Sequence, residues 1–475
     1  MVQLFAIILY FALALSVGIF SYKKQTSSAG FLMGNRSLGT WLTALAAHAS
    51  DMSNWLFMGY PAIIFVGGLF NAWVAIGLSL CMLINWQWIA PKLRVLTEKV
   101  GSLTLSSFFE ARLNDQTGRI RLFSALICFV FYTIYISAGL VGLGVLANSL
   151  FGISYSLGIV IGIALVIGYV LIGGFTTLAW LDLFQGLFLL AVILVVPFLV
   201  LSHEGGFSAL GSIIAQKPTL IPSFTALTLL QIISMALGWG LGYFGQPHIL
   251  TKFMGIQDVS KINHSKRIGM SWMVLSLSAA TFVGIVGASM FKGGIDNPEM
   301  IFIEMVKGHF APFIVGFILC AIIAAIINVM SSQLLVISSI LSEDLYKRVF
   351  SKRTIEEKRL VLISRLGIVA VALLAICVAF FRPASIFSLV LYAWSGLGAA
   401  FGPLLLYILF SKRVTKRGAW VGMLTGGTVS ALWPLINPYL PVSIEPLLPA
   451  FILSLIANWA ASYSTSREVS AQEWA

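Results

Sequence analysis

Two of the 17 acidic residues, Asp51 and Asp182, fall inside long apolar runs. An unpaired carboxylate in such a run is costly and calls for a cation, a proton or a set of hydrogen-bond donors. No Lys or Arg stands at matching depth in the apolar runs, so an internal salt bridge is not expected. Asp51 sits in His48-Ala-Ser-Asp-Met-Ser-Asn-Trp55, where small and polar residues interrupt a span. It can bind a cation or receive freed backbone amides, and the cation is favoured. Asp182 is nearer the end of its run, where water is an alternative partner. Further along, Asn328, Ser331 and Ser332 fall at i, i+3 and i+4 and share one helix face. Oxygen ligands of this kind suit hard cations. Small polar residues also hydrogen-bond helices to one another, and for these three taken alone that is the stronger reading. His48 adds a titratable imidazole whose ordinary role is packing or hydrogen bonding, with proton transfer the alternative. Trp55, Tyr135, Trp239 and Tyr243 crowd the same segments. Ring faces beside an apolar wall suit a ligand with an aliphatic body and a secondary ammonium.

These side chains must be positioned by helices in lipid. Of 475 residues 59% are hydrophobic and only 10% charged, too few charges to wet the surface of a soluble protein of this size. Runs such as Leu4–Phe20 and Leu178–Leu201 can span a bilayer, and about thirteen are expected. The fold class is therefore an all-α polytopic membrane protein. The loops are short, which excludes a fused kinase, a nucleotide-binding domain or a soluble enzyme domain. The net charge of +12 is gathered in alternate loops, at Lys23, Lys24 and Arg36, Lys92 to Arg121, Lys252 to Arg267, Lys347 to Arg359 and Lys412 to Arg417. That asymmetry predicts an N-terminus outside and a C-terminus in the cytoplasm, and it makes the charge a topology signal rather than a nucleic-acid signal. Lys23 and Lys24 follow the first span, the reverse of a cleaved leader, so that helix is expected to be retained. Cys81, Cys128, Cys320 and Cys377 form no close pair and predict neither a disulfide framework nor a zinc site.

A second interruption reads Gly238-Trp-Gly-Leu-Gly-Tyr-Phe-Gly-Gln-Pro247. Broken helices in lipid are tolerated only where other groups satisfy the backbone. Two of them, at the starts of successive five-span blocks, point to a transporter of inverted repeats. Close helix packing is the competing explanation for the glycines. The expected division is an N-terminal helix and loop at 1–37, a first repeat at 38–202, an external loop at 203–223, a second repeat at 224–410, and two helices with a tail at 411–475. There is no Walker motif, and Gly139-Leu-Val-Gly-Leu-Gly144 lies within a span without a preceding strand. No nucleophile–base pair shares a depth, so an intramembrane enzyme is not expected.

The segments Gly34-Asn-Arg-Ser-Leu-Gly39, Ala49-Ser-Asp-Met-Ser53, Gly238 through Leu250 and Glu343-Asp-Leu-Tyr-Lys347 carry a resemblance to the sodium/solute symporter family, in particular its sodium/proline branch. The resemblance covers nearly the whole chain. It implies thirteen helices around a LeuT-type core of two inverted five-helix repeats, in the inner (plasma) membrane, importing a small amino acid, foremost proline, by sodium symport through alternating access. It implies that Asp51 supports coupling, that Ser53 lies near ion and substrate, and that Tyr135, Trp239, Tyr243 and Pro247, with Trp55 alongside, contact the substrate. The main sodium site would use carbonyls of Ala49, Met52 and Ala325 plus two adjacent hydroxyls of the ninth span. A further ion in some relatives matches Asp182, Ser331 and Ser332. This sequence departs from the pattern: the two hydroxyl positions are Asn328 and Val329, and His48 and Asn54 stand where glycines are usual. Asparagine still offers an amide oxygen, while valine offers nothing. Three readings stay open: sodium held by three carbonyls and Asn328, protons carried by Asp51 or His48, or uncoupled exchange. A small-molecule substrate and the bilayer are the expected partners, with no cofactor, nucleic acid or obligate protein partner. An amino-acid sensor is the rival from another class, and it would need an output domain that the short loops and the tail do not offer.

Overall fold

Because lipid offers no hydrogen bonds, these apolar runs can satisfy their backbone only as helices. The computed structural model describes residues 2–22, 27–208, 211, 226–350, 356–381, 384–411 and 413–464. Lys23, Lys24, most of the expected external loop at 203–223 and the tail beyond 464 lie outside the described residues. The principal helices are α1 (Val2–Ser21), α2 (Thr40–Ala49), α3 (Tyr60–Gly67), α4 (Trp73–Ile84), α5 (Arg119–Phe151), α6 (Tyr155–His203), α7 (Ala226–Gly240), α8 (Pro247–Met254), α9 (Ile262–Met290), α10 (Pro312–Ser339), α11 (Glu357–Phe381), α12 (Ile386–Phe410), α13 (Lys416–Ile436) and α14 (Leu447–Ser464). Among the described residues nine helices are long and apolar enough to cross a membrane alone, or ten if the bent pair ending in α8 is one span. Shorter apolar helices occupy Tyr155–Leu171 and Leu447–Tyr463. α6 carries a break at Gly174, whose φ of 63° lies in the left-handed region that glycine adopts without a Cβ penalty.

Both expected interruptions are present. α2 ends at Ala49, and the chain re-enters helix through a π-turn at Trp55–Gly59 before α3. α7 tightens into a 3-10 turn at Leu241–Phe244, and the extended Gln246 (φ −88°, ψ 104°) precedes Pro247, which opens α8. The two halves of this span are bent by 47°. Pro247 suits that place because its missing N–H falls where a helix start leaves its donors unsatisfied. The glycines of the same span also pack closely: a Cβ on Gly240 would stand 2.4 Å from the Gly77 carbonyl oxygen, and one on Gly242 1.9 Å from the Trp394 indole nitrogen. Break and close packing therefore coexist in this span.

The half-helices α2 and α8 are joined at one end of each. Leu38 and Ile256 form an isolated parallel β-bridge, with Leu38 N donating to Gly255 O (3.1 Å) and Gln257 N to Leu38 O (2.9 Å). Arg36 secures the same corner through the carbonyls of Met254 (2.7 Å), Ser102 (2.8 Å) and Thr97 (3.0 Å). Its φ of 54° is left-handed and costs about 1 kcal/mol, which these bonds offset. Helices α5, α10 and α12 lie in the interior, whereas α1, α11 and α13 show much of their surface outward to lipid.

Candidate functional site

The two breaks meet through side chains. The Tyr243 hydroxyl donates to Asp51 Oδ2, while Asp51 Oδ1 is buried without a hydrogen-bond partner. Trp55 Nε1 donates to the Asp51 carbonyl (3.0 Å), folding its ring back over the break. The Trp239 ring lies 5.8 Å from that of Trp55, 4.8 Å from Phe387 and 6.5 Å from Trp394, and Tyr243 meets Trp394 edge-on at 5.1 Å. Side chains tie the second break to its neighbours, taking up the carbonyls of Trp239 and Tyr243 and sending the Gln246 amide to a carbonyl of α12. Trp394 Nε1 donates to Trp239 O (2.8 Å), Asn85 Nδ2 to Tyr243 O (2.9 Å), and Gln246 Nε2 to Trp394 O (2.9 Å). The result is a packed aromatic cluster with one carboxylate at its edge.

Not every expected substrate contact sits in that cluster. Tyr135 packs edge-on against His248, at 6.0 Å, with its hydroxyl buried and unpartnered. Pro247, the neighbour of His248, lines a small cavity with Thr104, Thr251 and Phe401. Tyr135 stands within electrostatic range of Asp51 and Tyr243 as well, so it links the group of Trp55, Trp239 and Tyr243 to His248 and its neighbour Pro247. Ser53 is buried and donates to Asn54 Oδ1 (3.0 Å), whose amide nitrogen in turn donates to Ala138 O (3.1 Å).

The expected cation ligands can be tested by their free valences. Among the described residues no hydrogen bond reaches the carbonyls of Ala49 or Met52, so both are open acceptors at the first break. α2 packs against α10, where the Asn328 amide nitrogen and the Ser331 and Ser332 hydroxyls are buried without partners. Gly142 brackets the region, since a Cβ there would meet both the Asn54 amide and Ile326, next to Ala325. The Ala49 and Met52 carbonyls and the Ser331 and Ser332 hydroxyls are oxygens of the kind a hard cation takes, whereas the Asn328 amide nitrogen is a donor and only the amide oxygen of that side chain is suited to one. Val329 contributes no oxygen.

His48 is turned elsewhere. Its Nε2 accepts from Trp86 Nε1 (3.2 Å), and the imidazole lies between the rings of Trp86 and Trp272 at 6.2 and 6.0 Å. An indole can only donate, so that nitrogen presents its lone pair, and the ring makes no hydrogen bond to the Asp51 carboxylate.

Asp182 requires a correction. It is fully buried and forms an ion pair with Lys252, Nζ to Oδ2 3.0 Å, so neither water nor the lack of a basic partner describes it. Lys252 reads as a loop charge in the sequence because the chain past Pro247 is polar. In the structure it belongs to α8, with only 2% of its side chain exposed. Asp344, another acid with no exposed surface, was also missed. It accepts from Thr104 (2.9 Å) and pairs with Arg121 (3.3 Å), which also meets Glu110 (2.5 Å), itself bound by Arg348 (2.8 Å).

That network closes one end of the bundle. At the other a cavity of about 490 Å³ opens, lined by residues including Asn71, Asn297, Glu299, Phe387 and Glu445. Phe387 touches both this cavity and Trp239, so it is the partition between vestibule and aromatic cluster. Asn85 was findable as one of two amides, with Gln87, in an apolar run. Trp394 and Phe387 carry no such mark, because only tertiary packing distinguishes them from other aromatics.

Residues 31–426 match the Sodium:solute symporter family. The chain is 42% identical over 456 residues to the high-affinity proline transporter PutP of Bacillus subtilis (strain 168), covering 95% of this chain and 96% of that protein. It is 38% identical to the osmoregulated proline transporter OpuE of the same organism, over 98% of this chain and 95% of the relative. Sodium/proline symporter 2 of Staphylococcus saprophyticus is 39% identical, over 97% and 92%. In three dimensions the chain is similar to the substrate-bound outward-open state of a Na+-coupled sialic acid symporter, with a TM-score of 0.81 over 98% of both chains at 18% identity. It is also similar to MhsT in complex with L-phenylalanine, with a TM-score of 0.57 over 90% of this chain and 98% of that one at 13% identity. These likenesses establish the LeuT-type fold, and with the family match they show that the chain is a multi-pass membrane transporter belonging to the sodium:solute symporter family.

Proposed function

We propose that this protein imports proline together with sodium, by alternating access in the plasma membrane. The observation that carries the proposal is the Tyr243–Asp51 hydrogen bond, which joins the first break to the aromatic cluster at the second break. The relatives named as proline transporters support the substrate. Proline has a small aliphatic ring and a secondary ammonium, which match the ring faces of Trp55 and Trp239 and the Asp51 carboxylate. Sodium would rest on the carbonyls of Ala49, Met52 and Ala325 with the Asn328 amide oxygen, close to the Asp51 charge.

Occupancy of that site would order the first break, and the aromatic cluster could then accept proline beneath Phe387. A ligand shifts the conformational equilibrium only by its differential affinity for the two states. Coupling therefore requires ion and proline to favour the same closure. The vestibule would face outward and the Glu110–Arg121–Asp344–Arg348 network inward, with the N-terminus outside and the C-terminus in the cytoplasm. The repeats at 38–202 and 224–410 would be the bodies that rock.

Labelled proline uptake into proteoliposomes, under separately imposed sodium and proton gradients, tests the reading. Accumulation is expected with the sodium gradient alone. Accumulation with protons alone would replace sodium by a proton on Asp51, and proline equilibrating without accumulation would mean uncoupled exchange.

A further inference from the structure

The protein buries two carboxylates beside its broken helices and treats them differently. Asp51 has a tyrosine hydroxyl and one empty oxygen. Asp182, on α6, has an ammonium at 3.0 Å, delivered by Lys252 from α8, the half-helix after the second break. Each of these two side chains is 2% exposed, and the ring of Phe175 lies 5.0 Å from the ammonium. The surroundings are polar and unsatisfied. One turn along α6 from Asp182, both amide atoms of Gln185 lack partners, as do the Ser331 and Ser332 hydroxyls on α10, which packs against α6. A buried carboxylate without a basic partner would draw a monovalent cation from solution. Here the cation is covalently part of the chain.

We propose that Lys252 is a resident cation: its ammonium fills the Asp182 carboxylate, so that Asp182 binds no mobile ion while the pair is intact. The inference rests on the sodium coupling proposed above. It also gives Lys252 a positioning role, because the pair ties α8 to α6 independently of ion supply. A mobile ion at this place would leave when sodium is scarce and release the half-helix, whereas a tethered ammonium cannot leave. Asp51 then remains the buried carboxylate beside the breaks whose charge awaits a partner from solution.

The test is equilibrium binding of radioactive sodium to the purified full chain, unaltered and with Lys252→Met. Methionine keeps the length of the side chain and removes the charge, so the freed Asp182 should bind one sodium ion more than the unaltered chain does. An equal count in the two proteins overturns the proposal. Removing one member of a buried pair is often destructive to folding, while replacing both by neutral groups of similar size is tolerated. If Lys252→Met does not fold, the double variant Lys252→Met, Asp182→Asn answers instead. A sodium count equal to that of the unaltered chain supports a resident cation, and a count lower by one shows that Asp182 was holding sodium and overturns it. An unaltered chain that binds no sodium would sink the sodium coupling proposed above, while the gain on Lys252→Met would still be read separately.

Discussion

At the scale of single residues, the Tyr243–Asp51 hydrogen bond is the contact on which the proposed coupling would depend. A hydrogen bond to a charged group contributes about 1.5–3 kcal/mol, so Tyr243→Phe should weaken apparent proline affinity roughly tenfold or more. Uptake titrations at saturating sodium would show it; unchanged affinity would detach the hydroxyl from the site. Asp51→Asn should fold and still bind proline weakly, but it should lose accumulation against a gradient. The pair Asn328→Ser with Val329→Thr restores two hydroxyls and should lower the sodium concentration for half-maximal uptake. A sodium response that does not move would show that the carbonyls and Asn328 already suffice. Asp51, Trp239 and Tyr243 were legible in the sequence because polar and aromatic groups inside broken spans have few bland explanations. Lys252 was not. Its charge has a loop's character, and only the turn that Pro247 starts buries it against Asp182.

At the scale of elements, the second broken span is held by small residues at van der Waals limits. A Cβ on Gly242 would reach within 1.9 Å of the Trp394 indole nitrogen, the group that donates to Trp239 O. Gly242→Ala should therefore displace Trp394 and uncover that carbonyl. We expect proline uptake to fall at least tenfold, since an orphaned buried acceptor costs about 1–3 kcal/mol. A purified variant with normal proline affinity by calorimetry would contradict this. Both breaks were readable beforehand, one from its Ser, Asp and Asn cluster and the other from its glycines and Pro247. The π-turn at Trp55–Gly59 was not, because one extra residue in a helical turn leaves no trace in an apolar pattern. The bend at Gly174 falls just before the apolar run Leu178–Leu201.

At the scale of the whole molecule, opposite ends of the bundle are closed by different chemistry. One end uses the ion pairs of Glu110, Arg121, Asp344 and Arg348, the other the aromatic stack of Phe387 on Trp239. Glu110→Gln loosens only the first. It should raise the labelling rate of a cysteine placed near Thr104 by a reagent supplied from the cytoplasmic side, and an unaltered rate would remove these pairs from the gate. The vestibule carries its own titration. Burial pushes the Glu445 carboxyl up from 4.5 to about 7, so the folded chain prefers it protonated. Stability from this group is full below pH 4.5 and declines as pH rises toward 7 and beyond. Glu445→Gln should therefore raise thermal stability at pH 8, by up to about 3 kcal/mol, and leave it unchanged at pH 4. A gain of equal size at both pH values would rule out the charge as its cause.

The β-bridge of Leu38 with Ile256 fastens one end of α2 to one end of α8. Neither half-helix can then swing out while the other stays behind, because the exposed strand edges would lose both backbone bonds. Under the proposed mechanism, states in which one half-helix has moved alone, and an ion could slip through without its passenger, would be made rare. A short stretch of backbone pairing would then set how little of the ion gradient is wasted.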